Sequence, residues 1–170
     1  MGFSGRLRVF EMKTLLLLST ALFSTLIFAN PSRCEMGRVS EPNMRLASYY
    51  NSQAASSFSV NCTGKYRIRF NSRNLQDASG NSFLNNGPVK LRTRMTVSGA
   101  MDNIWNIPTE QGAGKNNYVV AVRLTERITA TTPAGKYRDT VFTPISTLNK
   151  LFKLNRRITT FFIHNDADRM

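Results

Sequence analysis

The residues best equipped for chemistry in this chain are few and scattered. A single histidine, His164, stands close to the C-terminus, and neither a Ser-His-Asp nor a Cys-His arrangement can be assembled around it on the rest of the sequence. The carboxylates Glu35, Glu41, Asp77, Asp102, Glu110, Glu126 and Asp139 are widely spaced, which leaves a glycosidase-like acid pair unsupported. Cys34 and Cys62 have no histidine nearby, so they fall short of the four ligands of a structural zinc site. The sequence therefore predicts no enzyme, no catalytic residue, no metal and no cofactor.

Two short motifs invite a reading and do not sustain it. "QGAGKNN" offers Gly112, Gly114 and Lys115, but a phosphate loop needs a longer glycine frame, a Ser or Thr after the lysine, and a strand-to-helix setting. It reads as a flexible loop between strands. "NCT" at Asn61 has the form of a glycosylation triplet, yet its central residue is the cysteine expected to be oxidised.

What must position any site is a globular domain in an exported chain. The 170 residues, 41% hydrophobic and 19% charged, suit one domain with a core of its own. Lys13 precedes "TLLLLSTALFSTLIFA", an apolar run ending at Ala29, so residues 1–29 read as a cleaved signal peptide and the chain as exported. Met12-Lys13 alone would open such a signal, which makes residues 1–11 an extended n-region or the product of an upstream start codon. In an oxidising compartment a Cys34–Cys62 disulfide is the default.

Charge needs its own account. The net charge is +13, and loss of Arg6, Arg8, Lys13 and Glu11 with the signal leaves about +11. Export argues against nucleic acid as the partner. Arg67, Arg69, Arg92 and Arg94 fall where a solvated strand face puts them, although so basic a surface could attract anionic surfaces.

From Phe58 onward the periodicity is that of strands. Phe58, Val60 and Cys62 share a face, as do Tyr66, Ile68 and Phe70, then Val89, Leu91, Thr93, Met95 and Val97, then Val120, Val122 and Leu124. "DASGN" at Asp77 reads as a hairpin or loop tip, and Asp102–Asn117 as a loop. In "TTPAGKYRDTV" the Pro133-Ala-Gly135 turn leads into a strand whose inward register holds Tyr137, Asp139 and Val141. Tyr137 is expected to bond its hydroxyl to backbone at a sheet corner, and Asp139 to cap a turn or sit at the rim. The strand before this turn and the strand after it should pair. Short strands divided by Gly, Asn and Pro turns indicate an all-β sandwich, with a barrel as the alternative. Beyond Ile145 the text changes to a weakly helical "LNKLFKL", the pair Arg156-Arg157 and an apolar "ITTFFI", a basic C-terminal tail over residues 146–170 that no single element explains.

With a signal, two cysteines, alternating strands and "PAGKYRDTV" in hand, the chain resembles the spore coat protein U domain family, to which pilins of the archaic (Csu-type) chaperone-usher pathway belong. The motif residues Pro133, Gly135, Tyr137, Asp139 and Val141 carry most of the likeness, which covers roughly Cys34 to Ile145. The resemblance implies a domain over residues 30–145 with an incomplete Ig-like sandwich. It also implies a periplasmic chaperone, an usher and other pilus subunits as partners, assembly by donor-strand addition, and a place at the cell surface. Two departures follow. Only residues 30–33 precede Cys34 after cleavage, too few for a donor strand, which suits a fibre tip or a non-polymerising member. The second is the stretch after Ile145, where the family's domains typically stop: either "RRITTFFI" folds back into the domain's own groove, or the sequence from Thr143 onward is an out-of-frame translation.

Overall fold

The computed structural model describes residues 32–148 and 153–165. The expected signal peptide lies outside them, as do the middle of "LNKLFKL" and the last residues of the tail. Among the described residues the fold is all-β: β1 (Cys34–Met36), β2 (Asn43–Arg45), β3 (Gln53–Cys62), β4 (Tyr66–Ile68), β5 (Asn71–Ser72), β6 (Asn81–Asn86), β7 (Val89–Gly99), β8 (Thr109–Gln111), β9 (Gly114–Leu124), β10 (Gly135–Thr147) and β11 (Lys153–Asn165).

Alternation in the sequence becomes two faces in space. Ser56, Phe58, Val60 and Cys62 of β3 are buried, as are Leu91, Thr93, Met95 and Val97 of β7 and Tyr118, Val120, Val122 and Leu124 of β9. These strands lie in the order β1-β3-β9-β7-β6 and form the first layer of an Ig-like sandwich. The second layer is built on β10, with β4 and β5 along one edge, β11 along the other, β2 beyond β11 and β8 beyond β4. A single register pair, Arg138 with Asn85, joins β10 to β6, and there the two layers meet.

The chain between β1 and β2 closes the opposite side. Gly37 and Ser40 donate their N–H groups to the carbonyls of Ser59 and Ser57 on β3 (2.8 and 2.9 Å), after which the Pro42 carbonyl accepts from Thr160 of β11 (3.0 Å). One short segment thus changes layers. The disulfide between Cys34 and Cys62 ties its start to β3, where the two residues are direct partners.

Between the layers sits an aromatic cluster. The rings of Phe58 and Tyr118 stack at 5.4 Å, Phe70 lies 5.6 Å from Tyr118, and Trp105 meets Phe70 edge-on at 6.2 Å. The hydroxyls of Tyr66 and Tyr118 satisfy each other at 2.7 Å, and burial drives both phenols above their ordinary pKa. Each such side chain, removed from water, stabilises the fold by about 1.5–3 kcal/mol.

Two expectations are corrected here. β9 and β10 do not pair: both edges of β9 are taken, by β3 and β7, so the chain crosses to the other layer before β10 begins. Nor is 102–117 simply a loop. Trp105 is fully buried, with its indole N–H donated to Asn103 (3.1 Å), Thr109–Gln111 form β8, and Gly114 to Asn117 open β9, which places most of "QGAGKNN" in strands.

Candidate functional site

The tail is the feature that most shapes this molecule. β11 runs antiparallel to β10 from Gly135 opposite Asn165 to Ser146 opposite Lys153. On its other side β11 pairs in parallel with β2, Thr160 to Phe162 against Asn43 to Arg45. It therefore fills a groove between β10 and β2 rather than lying on the surface.

Its side chains alternate accordingly, with one irregularity. Phe161 and Ile163 are fully buried, Asn165 nearly so, while Phe162 and His164 point outward. A register shift at Val141/Phe142 makes Ile158 an extra residue, so Ile158 and Thr159 are both buried and the phase of the strand reverses before it. The groove then holds the strand through polar contacts. Thr159 donates its hydroxyl to the Glu41 carbonyl (2.9 Å), the Phe162 carbonyl accepts from the Leu46 N–H (2.9 Å), and the His164 carbonyl accepts from Ser48 (3.0 Å).

The motif over residues 133–141 forms the facing wall. Tyr137 is buried and donates its hydroxyl to the Pro133 carbonyl (2.8 Å). Asn165 donates its amide to the same carbonyl (3.3 Å) and to that of Thr132 (3.1 Å), so the turn also anchors the end of β11. Gly135 occupies φ +140°, and a Cβ there would run into the Asn86 amide, which leaves glycine as the residue that fits. Val141 is buried opposite Thr159.

Asp139 lies deeper than a rim position, only 2% exposed. Its Oδ2 accepts from the Ser82 hydroxyl (2.8 Å), and Oδ1 accepts from the N–H groups of Thr140 (2.7 Å) and Asn74 (3.2 Å). Burial raises its pKa above the usual carboxylate value, while hydrogen bonds from Ser72, Ser82, Thr140 and Asn74 oppose that rise. These bonds link β10 to the turn after β5 and to β6, beside the seam between the layers. Asp77 behaves in the opposite way. Fully exposed, it gathers bonds from Ser79 and Asn81, chiefly from their side chains, and its pKa is lowered to about 2.

His164 sits on the outer face of β11 opposite Lys136, and both cysteines are taken up by the Cys34–Cys62 disulfide. Among the described residues no group of three His, Cys, Asp or Glu could hold a metal ion. What sequence reasoning missed is Phe161 and Ile163 as buried plugs, Asn165 as their anchor, and Ser72 and Ser82 as partners of Asp139. The expectation that "RRITTFFI" folds back into the groove anticipated the strand but not which of its residues are buried.

No family model matches the chain, and neither does any curated protein. Solved structures do share its fold. The CooA pilin subunit from enterotoxigenic Escherichia coli aligns at a TM-score of 0.52 and 11% identity, over 78% of this chain and 98% of that one. CfaE, the adhesive subunit of CFA/I fimbria of enterotoxigenic Escherichia coli, aligns at 0.50 and 10% identity over 73% of this chain and 46% of its own. A mutant of the same adhesin reaches 0.54 at 9% identity, over 74% of this chain and 46% of its own. This chain thus spans about half the length of the adhesin, and at these identities the likeness is one of fold: a pilin-like, Ig-type β-sandwich.

Proposed function

We propose that the chain is an exported structural and adhesive surface subunit of the chaperone-usher pilin type, akin to the spore coat protein U domain family, whose strand groove is completed by its own C-terminal strand. The observation that carries this reading is β11, paired with β10 over its whole length and with β2 beyond it. Donor-strand addition works through main-chain hydrogen bonds for affinity and alternating side-chain pockets for register, and β11 supplies both. The pilin-like fold and the motif at Pro133 to Val141 support the same assignment. In this reading residues 1–29 direct export and the sandwich continues past Ile145 to Asn165.

A groove filled in cis is closed to a neighbour's strand, which makes this a non-polymerising subunit rather than a fibre tip, whose groove would have to accept its neighbour's strand. A periplasmic chaperone and an usher are then partners of the state before β11 docks. The test is a chain ending at Leu148, purified with and without a co-expressed pilus chaperone. It is expected to be insoluble or far less stable alone, and to be rescued by the chaperone or by a peptide of residues 153–165. If it unfolds at the same denaturant concentration as the intact chain, self-complementation is wrong.

A further inference from the structure

The outer face of the β10 layer gathers charge in rows that the register defines. Arg67 of β4 and Lys153 of β11 flank Ser146 from opposite sides. One row further on, Arg69 donates its N–H to the Pro144 carbonyl (3.1 Å), and the row after that sets Arg157 opposite Phe142. Neighbouring strands lie about 4.8 Å apart, so these cations are close enough to act on one ligand. Between them opens a cleft of about 240 Å³ rimmed by Arg67, Arg69 and Lys153, with Pro108 and Pro144 among its lining residues. In the paired register of β4, β8, β10 and β11 the one outward acidic residue is Glu110, across from Arg67. Arg138 and Lys136 continue the face along β10.

We propose that this cleft and the cationic rows beside it bind an anionic polysaccharide, with a carboxylated or sulfated sugar unit seated among Arg67, Arg69 and Lys153. The proposal rests on the chain being an adhesive surface subunit and names its ligand class. Arginine forks match carboxylate and sulfate oxygens in paired hydrogen bonds, and proline rings offer a C–H floor to a sugar ring. The cleft is smaller than the roughly 300–1,000 Å³ of a drug-sized pocket, which suits a single sugar unit of a longer polymer. Single-stranded nucleic acid fits less well because its bases stack on open aromatic faces, and a duplex, bound through its phosphates, is the competitor to be tested directly. Phe142 is half-buried, and the Lys136 ammonium sits 4.3 Å over the Phe162 ring.

Basicity alone would predict binding everywhere, since the other layer has its own cleft of about 230 Å³ bordered by Arg94 and Arg123. The test uses that as an internal control. Heparin, polygalacturonate and a short DNA duplex are titrated against the intact chain across a salt series, then against Arg67→Glu/Lys153→Glu and Arg94→Glu/Arg123→Glu. Both doubles change the net charge equally, and thermal unfolding confirms that each is folded; if either is not, Gln replaces Glu in both pairs so that the charge changes stay equal. The first double is expected to lose about tenfold or more in polysaccharide affinity and to show a shallower salt dependence, while the second stays within about twofold. Equal losses, tighter binding to the duplex, or no polysaccharide binding at physiological salt would each overturn the proposal. None of these results bears on the stability of the chain ending at Leu148, so the two readings fail separately.

Discussion

If β11 completes the sandwich, its two adjacent phenylalanines must behave very differently. Phe161 is fully buried opposite Asp139, whereas Phe162 faces outward opposite Arg138 with Lys136 over its ring. Truncating a fully buried Phe to Ala removes its transfer free energy and leaves a cavity, at a cost of about 3–5 kcal/mol. Truncating Phe162 loses part of a half-buried ring and an exposed cation–π contact worth about 0.5–1 kcal/mol. Against the roughly 5–15 kcal/mol that holds a typical domain together, Phe161→Ala removes a large share and should lower the melting temperature on the order of 10 °C. Urea unfolding of the oxidised protein, followed by far-UV circular dichroism, gives both values with a common slope as the check on two-state behaviour. A one-residue slip would exchange the faces of the strand. Equal effects would mean that β11 does not hold the groove, and a larger effect at Phe162 would mean that it holds it in the other register.

The buried carboxylate makes a signed prediction. Burial is the largest influence on Asp139 and raises its folded pKa above the ordinary 3.8, so its contribution to stability is fully present below that value and is lost as pH rises through the raised one. In Asp139→Asn the amide oxygen can still accept from Thr140 and Asn74 while the NH2 donates to Ser82; the variant should gain on the native chain as pH climbs from acid to neutral, and a pH-independent difference in denaturant midpoint would refute this. For the disulfide, the sequence separation of 28 implies about 3–4 kcal/mol of chain-entropy stabilisation. A Cys34→Ser/Cys62→Ser double should therefore unfold at clearly lower urea than the oxidised chain, and coincidence of the two curves would show the bridge to be idle.

The inward faces of β3, β4, β7 and β10 were legible because alternation is a local property that survives any choice of neighbour. Neighbours themselves were not. The Pro133-Ala-Gly135 turn looks like the tip of a hairpin, yet both edges of β9 are taken by strands that precede it in the chain, and only contacts between distant segments decide that. The inward register of Asp139 is legible but its depth is not, because its compensation comes partly from Ser72 and Ser82, small residues that leave no pattern in sequence. That the tail folds back into the groove was one of two open alternatives, but the phase of β11 was hidden by its own bulge. Leu154 and Arg156 take the inward register before it and Thr159, Phe161 and Ile163 after it, so the period of two breaks at Ile158 and "ITTFFI" reads as an undivided apolar run.

The same bulge bears on whether the groove could ever exchange strands. Beyond it β11 is held by Phe161, Ile163 and Asn165; before it Arg156 is exposed although it faces the inward register, and the strand edge beside Lys153 to Arg157 has no partner among the described residues. An incoming strand would thus meet least resistance at the Lys153 end and most at the Asn165 end, where Pro133 accepts from both Tyr137 and Asn165. Tethering adds to that resistance, because a strand attached by a short linker competes at an effective concentration of about 1 mM. A free strand at micromolar concentration must therefore bind the groove roughly a thousandfold more tightly than β11, a difference of about 4 kcal/mol. Main-chain bonds are common to both strands and cannot supply it. The difference would have to come from a better side chain before the bulge, at the position of Arg156, which takes the inward register yet stays exposed.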